Sequence, residues 1–154
     1  MAKKNINLSE EDTSALRRML FGESSNDEAT MKMIAQTALN RLRSGRKKEF
    51  GGNMNAVLKK GYYAVRNPNQ PYKQALSGIF NDDASKSRWG LTQKVISDIL
   101  KKQDFGNAMF YFTDDEIPKV QKQGFNFNLT VPTGKVGIYE TFGYPQSISH
   151  YRKD

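Results

Sequence analysis

The stretch LFGESSNDEATMKMIAQTALNRLRS, residues 20–44, decides the fold because it contains the end of one apolar helix, a turn and a second helix. Apolar residues on both sides of the turn recur at the spacing of about 3.6 residues that amphipathic helices show. Ser25 and Glu28 have the S-x-x-E spacing of a capping box, which predicts the start of the second helix. The apolar stripes are Ala15, Leu16, Met19 and Leu20, followed by Met31, Ile34, Ala35, Ala38, Leu39 and Leu42.

Glu23 stands at the predicted end of the first helix, facing whatever lies across the turn. A carboxyl group beside Phe21 would be partly removed from water, and this raises the pKa of a carboxyl group. A general acid that works near neutral pH needs such a raised pKa. Most glutamates near helix ends are solvated surface residues, so the local pattern leaves both interpretations open.

Four blocks of sequence extend this pattern over residues 12–142. They are FGES at residues 21–24 with Asp27 and Glu28 following, AQTALNR at 35–41, Val57 with GYYAV at 61–65, and GNAMFYF at 106–112. In order and spacing the blocks resemble the SleB-type cell-wall hydrolases, which are spore-cortex-lytic enzymes and related lytic transglycosylases. The resemblance implies a lysozyme-like catalytic domain that degrades peptidoglycan, with Glu23 as its catalytic residue.

The chain departs from the family in three places. Ser24 follows Glu23 where the family has alanine, and the loop before Asn40 and Arg41 is one residue shorter. Near the C-terminus the family often has Gly-x-His-x-Phe-Tyr, whereas this chain has GIYETF at residues 137–142. If the family's histidine contacts glycan, Tyr139 has to replace it here.

Size and composition fit one compact domain. At 154 residues the chain is long enough for a single core, and it shows no linker or internal repeat. We expect an N-terminal arm at 1–11, one catalytic domain at 12–145 and a C-terminal tail at 146–154. Cysteine is absent and His150 is the single histidine, so ligands are too few for a zinc site. We expect no metal and no cofactor, which argues against the zinc amidases and endopeptidases that attack cell walls.

Hydropathy predicts no membrane insertion. No apolar run approaches the roughly 20 residues that span a bilayer, and the start, MAKKNINLSEED, lacks the apolar core of a signal peptide. A wall enzyme without an export signal is most simply a bacteriophage protein. It would be carried in the virion beside other virion proteins, or held in the host cytoplasm until release to the wall.

The net charge of +8 and the pI near 9.6 suit an anionic partner, either a bacterial wall polymer or nucleic acid. No helix-turn-helix, RNP or zinc-finger pattern supports nucleic acid.

The remaining sequence predicts a mainly helical α+β fold with two lobes and a small β-sheet. A short helix is expected at 53–60, an aromatic loop at 61–72, broken by Pro68 and Pro71, and a long helix at 91–102. Strands are expected at 108–112 and 136–141, separated by a polar segment. Alternation along the first strand predicts that Phe110 and Phe112 enter the core while Tyr111 faces the opposite, cleft side.

Tyrosines are candidates for binding sugar, since each offers an apolar face and a hydroxyl group. The alternative is that half of the aromatic residues only fill the core. Asn40 lies off the apolar stripe of its helix. It either orders Glu23, binds an N-acetyl group or is an ordinary polar residue near a helix end. The candidate substrate-binding residues are Asn40, Tyr62, Tyr63, Tyr111, Thr113 and Tyr139.

The carboxylates distinguish two enzymatic mechanisms. A retaining or inverting glycosidase needs a second carboxylate, for which Asp27 and Glu28 are the first candidates and Asp82 and Asp83 the next. A lytic transglycosylase needs only one, because the C6 hydroxyl of N-acetylmuramic acid attacks the anomeric carbon. The adjacent acids Asp114, Asp115 and Glu116 do not converge on one point. Thr113 and Glu116 instead fit another capping box.

The leading hypothesis is therefore a peptidoglycan lytic transglycosylase that uses Glu23. The alternatives are a hydrolytic muramidase on the same scaffold and a non-catalytic basic virion or nucleic-acid-binding protein.

Overall fold

Helices form most of the chain in the structure, a computed structural model that describes residues 5–23 and 27–145. The fold is mainly helical α+β with a small antiparallel sheet, which confirms the predicted class. The helices are α1 (Glu10–Glu23), α2 (Glu28–Arg43), α3 (Lys47–Phe50), α4 (Met54–Gly61), α5 (Tyr63–Arg66), α6 (Gln70–Ser77), α7 (Asp83–Lys102) and α8 (Glu116–Lys122), with a 3-10 turn at Phe127–Leu129. The strands are β1 (Phe110–Thr113), β2 (Val131–Val136) and β3 (Tyr139–Gly143).

Helices α1, α2 and α7 enclose the main core. The apolar stripes predicted for α1 and α2 are buried, apart from the half-buried Leu42 at the end of α2. Helix α7 adds Val95, Ile96 and Ile99 to the same cluster. The 3.6-residue periodicity therefore identified the main core correctly.

The predicted capping box at the start of α2 is wrong. The N-cap is Asp27, whose carboxylate accepts hydrogen bonds from Ala29 N at 3.3 Å and from Thr30 Oγ1 at 2.6 Å. Glu28 lies in the first turn and forms an ion pair with Lys94 at 3.0 Å. Ser25, the predicted cap, lies outside the described residues.

The aromatic loop predicted at 61–72 is mostly helical, since it contains α5 and the start of α6. Pro71 lies in the first turn of α6, where a missing N–H has no effect on the helix, and Asn69 caps that turn by accepting from Tyr72 N at 2.9 Å. Helix α7 begins at Asp83 rather than residue 91, because Asp82 caps it by accepting from Ser85 N at 2.7 Å.

The sheet has the order β1-β3-β2, with both pairs antiparallel. Strand β2 was not predicted; it forms within the polar segment, together with α8 and the 3-10 turn. As predicted, Phe110 and Phe112 lie on the face opposite to Tyr111. They pack in a second apolar cluster with Phe142. Tyr111, which was predicted to face a cleft, instead packs against the helical core, because the helices cover that face of the sheet.

The described part of the predicted N-terminal arm belongs to the domain. Ile6 is buried in the main cluster, and its backbone N–H and C=O both bond the side chain of Gln103, at 2.8 and 3.0 Å. Helix α1 begins at Glu10, before the predicted boundary at residue 12. The predicted tail at 146–154, with His150, lies outside the described residues.

Candidate active site

The C-terminal end of α1, which carries Glu23, is fixed by one side chain from α7 and by the N-cap residue of α6. Arg88 of α7 donates from Nη1 to Phe21 O at 2.8 Å, and Asn69 donates from Nδ2 to Gly22 O at 2.8 Å. These bonds satisfy carbonyl groups that a helix end leaves without partners. Nothing in the sequence pattern near Glu23 indicated these two distant partners.

Gly22 allows α1 to end in close contact with α5 and α6. A Cβ atom at this position would lie 3.0 Å from Tyr72 Cβ and 3.1 Å from Ala64 Cβ, closer than most Cβ atoms approach a neighbour. The small residue therefore brings the end of α1 against the start of α5.

The Glu23 carboxylate is held by the backbone of α5. Its Oε1 accepts a hydrogen bond from Ala64 N at 2.7 Å, across 41 positions of sequence. Ala64 is buried, and Glu23 itself is half-buried. Among the described residues, the second oxygen, Oε2, forms no hydrogen bond. Within that part of the chain, the carboxylate is therefore oriented through Oε1.

Three tyrosines lie within electrostatic range of Glu23. Burial raises the pKa of Tyr62, Tyr111 and Tyr139, and the negative charge of Glu23 contributes to the rise at each of them. The rings of Tyr111 and Tyr139 meet edge to face, with centroids 5.3 Å apart. A tyrosine is protonated at neutral pH even at its ordinary pKa, about 10, so these phenol groups can donate hydrogen bonds.

Tyr62 is a core residue in this structure. Its side chain is 1% exposed, and its hydroxyl lies 2.7 Å from Thr37 Oγ1. Thr37 Oγ1 donates its only proton to Ile34 O at 2.7 Å, so Tyr62 must be the donor in the bond between them. The predicted contact of Tyr62 with substrate is therefore replaced by a role beneath the site.

Tyr63 is exposed to solvent, unlike the buried Tyr62 before it. It is 66% exposed at the start of α5, directly before the residue whose amide bonds Glu23. Its ring is accessible to a ligand, and its contact with substrate stays a prediction.

Arg41 joins the helical core to the sheet. It is 9% exposed and donates from Nε to Met109 O at 2.8 Å, and its guanidinium lies about 5 Å from the rings of Phe50, Tyr62 and Phe110. A Cβ atom at Gly61 would overlap its Nη1, so the end of α4 is packed directly on this side chain. Its positive charge opposes the rise in the pKa of Tyr62 and Tyr111.

Asn40 does not contact Glu23, which corrects the prediction that it orders this carboxylate. It is 4% exposed, and its Nδ2 donates to Phe105 O at 2.8 Å and Ala108 O at 2.9 Å. Its Oδ1 accepts from Arg43 Nη2 at 2.8 Å. The two bonds from Nδ2 fix the segment that leads into β1 and the bond from Arg43 lies within α2, so the predicted N-acetyl contact has no support in the structure.

Three of the four candidates for a second carboxylate have structural partners, and the fourth, Asp83, is exposed in the first turn of α7. Asp27 caps α2, and its hydrogen bond from Thr30 is the main cause that lowers its pKa. Glu28 pairs with Lys94 on the α7 side, and Asp82 caps α7. Asp27 nevertheless lies near the hairpin between β2 and β3, since a Cβ atom at Gly137 would be 4.0 Å from Asp27 Oδ2.

Thr113 is engaged in the predicted second capping box, which the structure confirms. Its N–H donates to Glu116 Oε1 at 2.8 Å, and its Oγ1 accepts from Glu116 N at 3.3 Å. The hydroxyl of Thr113 thus has a local role, while Tyr139, opposite it in the sheet, lies near Glu23.

Two surface clefts lie away from this site. A cleft of about 430 Å³ is lined by Arg43, Phe105 and Asn107, and one of about 220 Å³ by Glu28, Val95 and Lys102, among others. Neither of them is lined by Glu23.

Within residues 5–23 and 27–145, no group of three or more His, Cys, Asp or Glu side chains is placed to hold a metal ion. Over the same residues, no helix combines the length and the apolar character needed to cross a membrane.

Comparisons of the chain with protein-family models, with curated proteins and with solved structures found no match. The resemblance to SleB-type hydrolases is therefore a prediction from the four sequence blocks, and the proposals below depend on the geometry around Glu23.

Proposed function

We propose that the protein is a peptidoglycan-degrading lytic transglycosylase that cleaves the bond between N-acetylmuramic acid and N-acetylglucosamine. The observation that carries the proposal is the Glu23 carboxylate at the end of α1, half-buried and oriented by Ala64 N at 2.7 Å. The exposed Tyr63 next to it offers an apolar face on which a sugar ring can stack.

A single carboxyl group is sufficient for this reaction. Glu23 in its acid form donates a proton to the glycosidic oxygen as the bond to the anomeric carbon breaks. The resulting carboxylate then removes the proton of the C6 hydroxyl of the same muramic acid, whose oxygen bonds the anomeric carbon. The products are a free 4-hydroxyl group and a 1,6-anhydro ring, and no water is consumed. Holding the hydroxyl group next to the reacting carbon supplies much of the acceleration.

The hydrolytic alternative has less support because it needs a second carboxylate to activate water or attack the sugar. Both oxygens of Asp27 accept hydrogen bonds within its own helix start, and Glu28 is paired with Lys94. Asp27 and Glu28 thus have structural roles, whereas internal attack needs no second carboxylate, so we favour internal attack by the substrate.

The biological setting belongs to the same proposal. A bacteriophage enzyme, associated with the virion or kept in the host cytoplasm until lysis, would use this activity on the bacterial wall during entry or release. Its high positive charge, +8, suits an anionic wall polymer.

The test is clearing of purified peptidoglycan by the wild type and by Glu23→Gln, which keeps the shape of the side chain and removes its proton transfer. We expect Glu23→Gln to lose at least about a hundredfold in rate, the usual size of a general acid–base contribution, with its folding retained. The matched control is Glu11→Gln, which removes an exposed acid from the first turn of the same helix and should clear normally. A folded Glu23→Gln protein with near-normal clearing would contradict the proposal.

The products distinguish the two enzymatic mechanisms. Internal attack gives muropeptides that are one water lighter in mass and resist borohydride reduction at muramic acid. Reducible products that carry the full mass of water would show a muramidase instead.

A further inference from the structure

The positive charge of the chain is concentrated in one part of the sequence. Residues 41–81 contain nine lysines and arginines and a single acid, Glu49, which gives this segment a net charge of +8. The rest of the chain has fifteen basic and fifteen acidic residues and is therefore neutral. The whole net charge thus belongs to the segment that runs from the end of α2 through α3, α4, α5 and α6.

Hydrogen bonds bring the exposed cations of this segment together. Lys60 Nζ donates to Lys48 O at 2.9 Å, and Arg66 Nη1 donates to the carbonyl oxygens of Lys59, at 3.0 Å, and Lys60, at 2.5 Å. These bonds join the surfaces of α3, α4 and α5. We call the exposed basic residues of α3, α4 and α5 the basic patch. They are Lys47, Lys48, Lys59, Lys60 and Arg66.

The basic patch is continuous with the candidate active site. Helix α5 has four residues and begins with the exposed Tyr63, continues with Ala64, whose amide bonds Glu23, and ends with Arg66. A helix of this length spans about 6 Å. A polymer seated against Tyr63 and Glu23 therefore passes within a few ångströms of the patch.

We propose that the basic patch binds the carboxylate groups of the peptides attached to muramic acid, so that the preferred substrate is peptide-bearing glycan. This inference rests on the proposed function of Glu23. Each muramic acid in such a glycan carries a short peptide with free carboxylates, and an extended peptide of four residues reaches about 13 Å, which is enough to cross α5.

The side chains in the patch fit this ligand. Four of the five are exposed lysines, whose ammonium groups have three donors each and can pair with carboxylates on a flexible peptide. No base-reading motif accompanies them, and Tyr63 is the exposed aromatic residue on α5. The geometry thus favours a flexible carboxylate-bearing chain over a nucleic acid duplex.

The experiment compares Lys59→Gln/Lys60→Gln with Lys101→Gln/Lys102→Gln. Both pairs are exposed and occupy the last turn of a helix, α4 or α7, so the two variants lose the same charge in the same type of location. The substrates are peptide-bearing glycan strands and the same strands stripped of peptide by an amidase. The readouts are the rate of 1,6-anhydro end formation and cosedimentation with sacculi, bearing or lacking peptides, at low salt.

On peptide-bearing substrate, we expect Lys59→Gln/Lys60→Gln to lower both kcat/KM and binding by about fivefold, which is the effect of losing two exposed charge pairs. On stripped substrate, kcat/KM and binding should equal those of the wild type. The control variant should match the wild type on both, and the difference should disappear in 1 M NaCl because salt screens exposed charges.

An equal loss on both substrates, no loss on either, or an equal loss in the control variant would overturn the inference. Loss of binding to a fluorescent DNA duplex or to anionic vesicles, with peptide-bearing sacculi still bound normally, would assign the patch to those partners instead. If the wild type cleaves neither substrate, the proposed function fails, and cosedimentation alone then decides whether the patch recognises the peptides.

Discussion

Replacing Asn40 with alanine tests whether this residue belongs to the scaffold or to the site. The amide of Asn40 donates to Phe105 O at 2.8 Å and to Ala108 O at 2.9 Å, and 4% of the residue is exposed. Each lost bond removes about 1 kcal/mol of net stability, and a buried carbonyl left without a partner adds a desolvation penalty of a similar size. We therefore expect Asn40→Ala to lower the free energy of unfolding by about 3 kcal/mol.

For a domain of this size that loss corresponds to a fall in Tm of roughly 6–12 °C. The assay is thermal and urea unfolding followed by circular dichroism, combined with turnover of peptidoglycan well below both midpoints. Turnover should be close to that of the wild type, because no hydrogen bond of Asn40 reaches Glu23. The matched control is Gln36→Ala, which removes a similar bond to the same segment, from Nε2 to Asp104 O at 2.9 Å, at an exposed position. It should lose less than about 1 kcal/mol.

The reasoning would be refuted by an Asn40→Ala protein with an unchanged Tm and a strongly reduced turnover. That result would return Asn40 to the substrate-binding role suggested by its sequence.

Gly61→Ala should destabilise the fold by about 1–3 kcal/mol in urea unfolding, because the new Cβ atom overlaps the buried Arg41 guanidinium. Gly90→Ala, in the interior of α7 with no atom within 4 Å of the new Cβ, should instead stabilise it by about 0.5–1 kcal/mol. The pKa of Asp27 is lowered in the folded state, so its cap stabilises the fold above the pKa of an unfolded aspartate, about 3.9, and this contribution is lost as the pH falls through the folded value. The unfolding free energy of Asp27→Asn should accordingly depend less on pH below about pH 4 than that of the wild type. Tyr63→Ala should raise KM for glycan severalfold while Tm stays within about 2 °C, because the ring is 66% exposed; a drop in Tm that accounts for the lost activity would make Tyr63 a core residue.

The sequence predicted the parts of the fold that depend on local periodicity. The apolar stripes of α1 and α2 and the opposite faces of Phe110 and Tyr111 follow from spacings of 3.6 and 2 residues, which operate over a few positions. The first half of α7 was not predicted, because residues 83–90 carry no apolar stripe. The start of the helix there depends on the Asp82 cap. Strand β2 was not predicted because its residues are mostly exposed and give no apolar alternation. It is stabilised by pairing with β3.

The candidate site could likewise be predicted only where it depends on local sequence. Glu23 at a helix end and the exposed Tyr63 were found from sequence, whereas the donor that orients the carboxylate is a backbone amide, which leaves no trace in residue type. Asn40 was misinterpreted because its partners lie 65 and 68 positions away, beyond the reach of a helical wheel. Proline at position 71 suggested a loop, although proline is well suited to a first helical turn.

The outer edge of the small sheet also bears on how copies of this protein behave together. Strand β2 is exposed along most of its length, and an exposed edge strand can recruit a strand from another molecule and begin aggregation. Three features of β2 oppose this: Pro132 has no N–H to donate, an irregularity between Pro132 and Gly134 breaks the register, and Lys135 would have to lose its water. The domain can therefore be packed at high local concentration with little tendency to form intermolecular sheets.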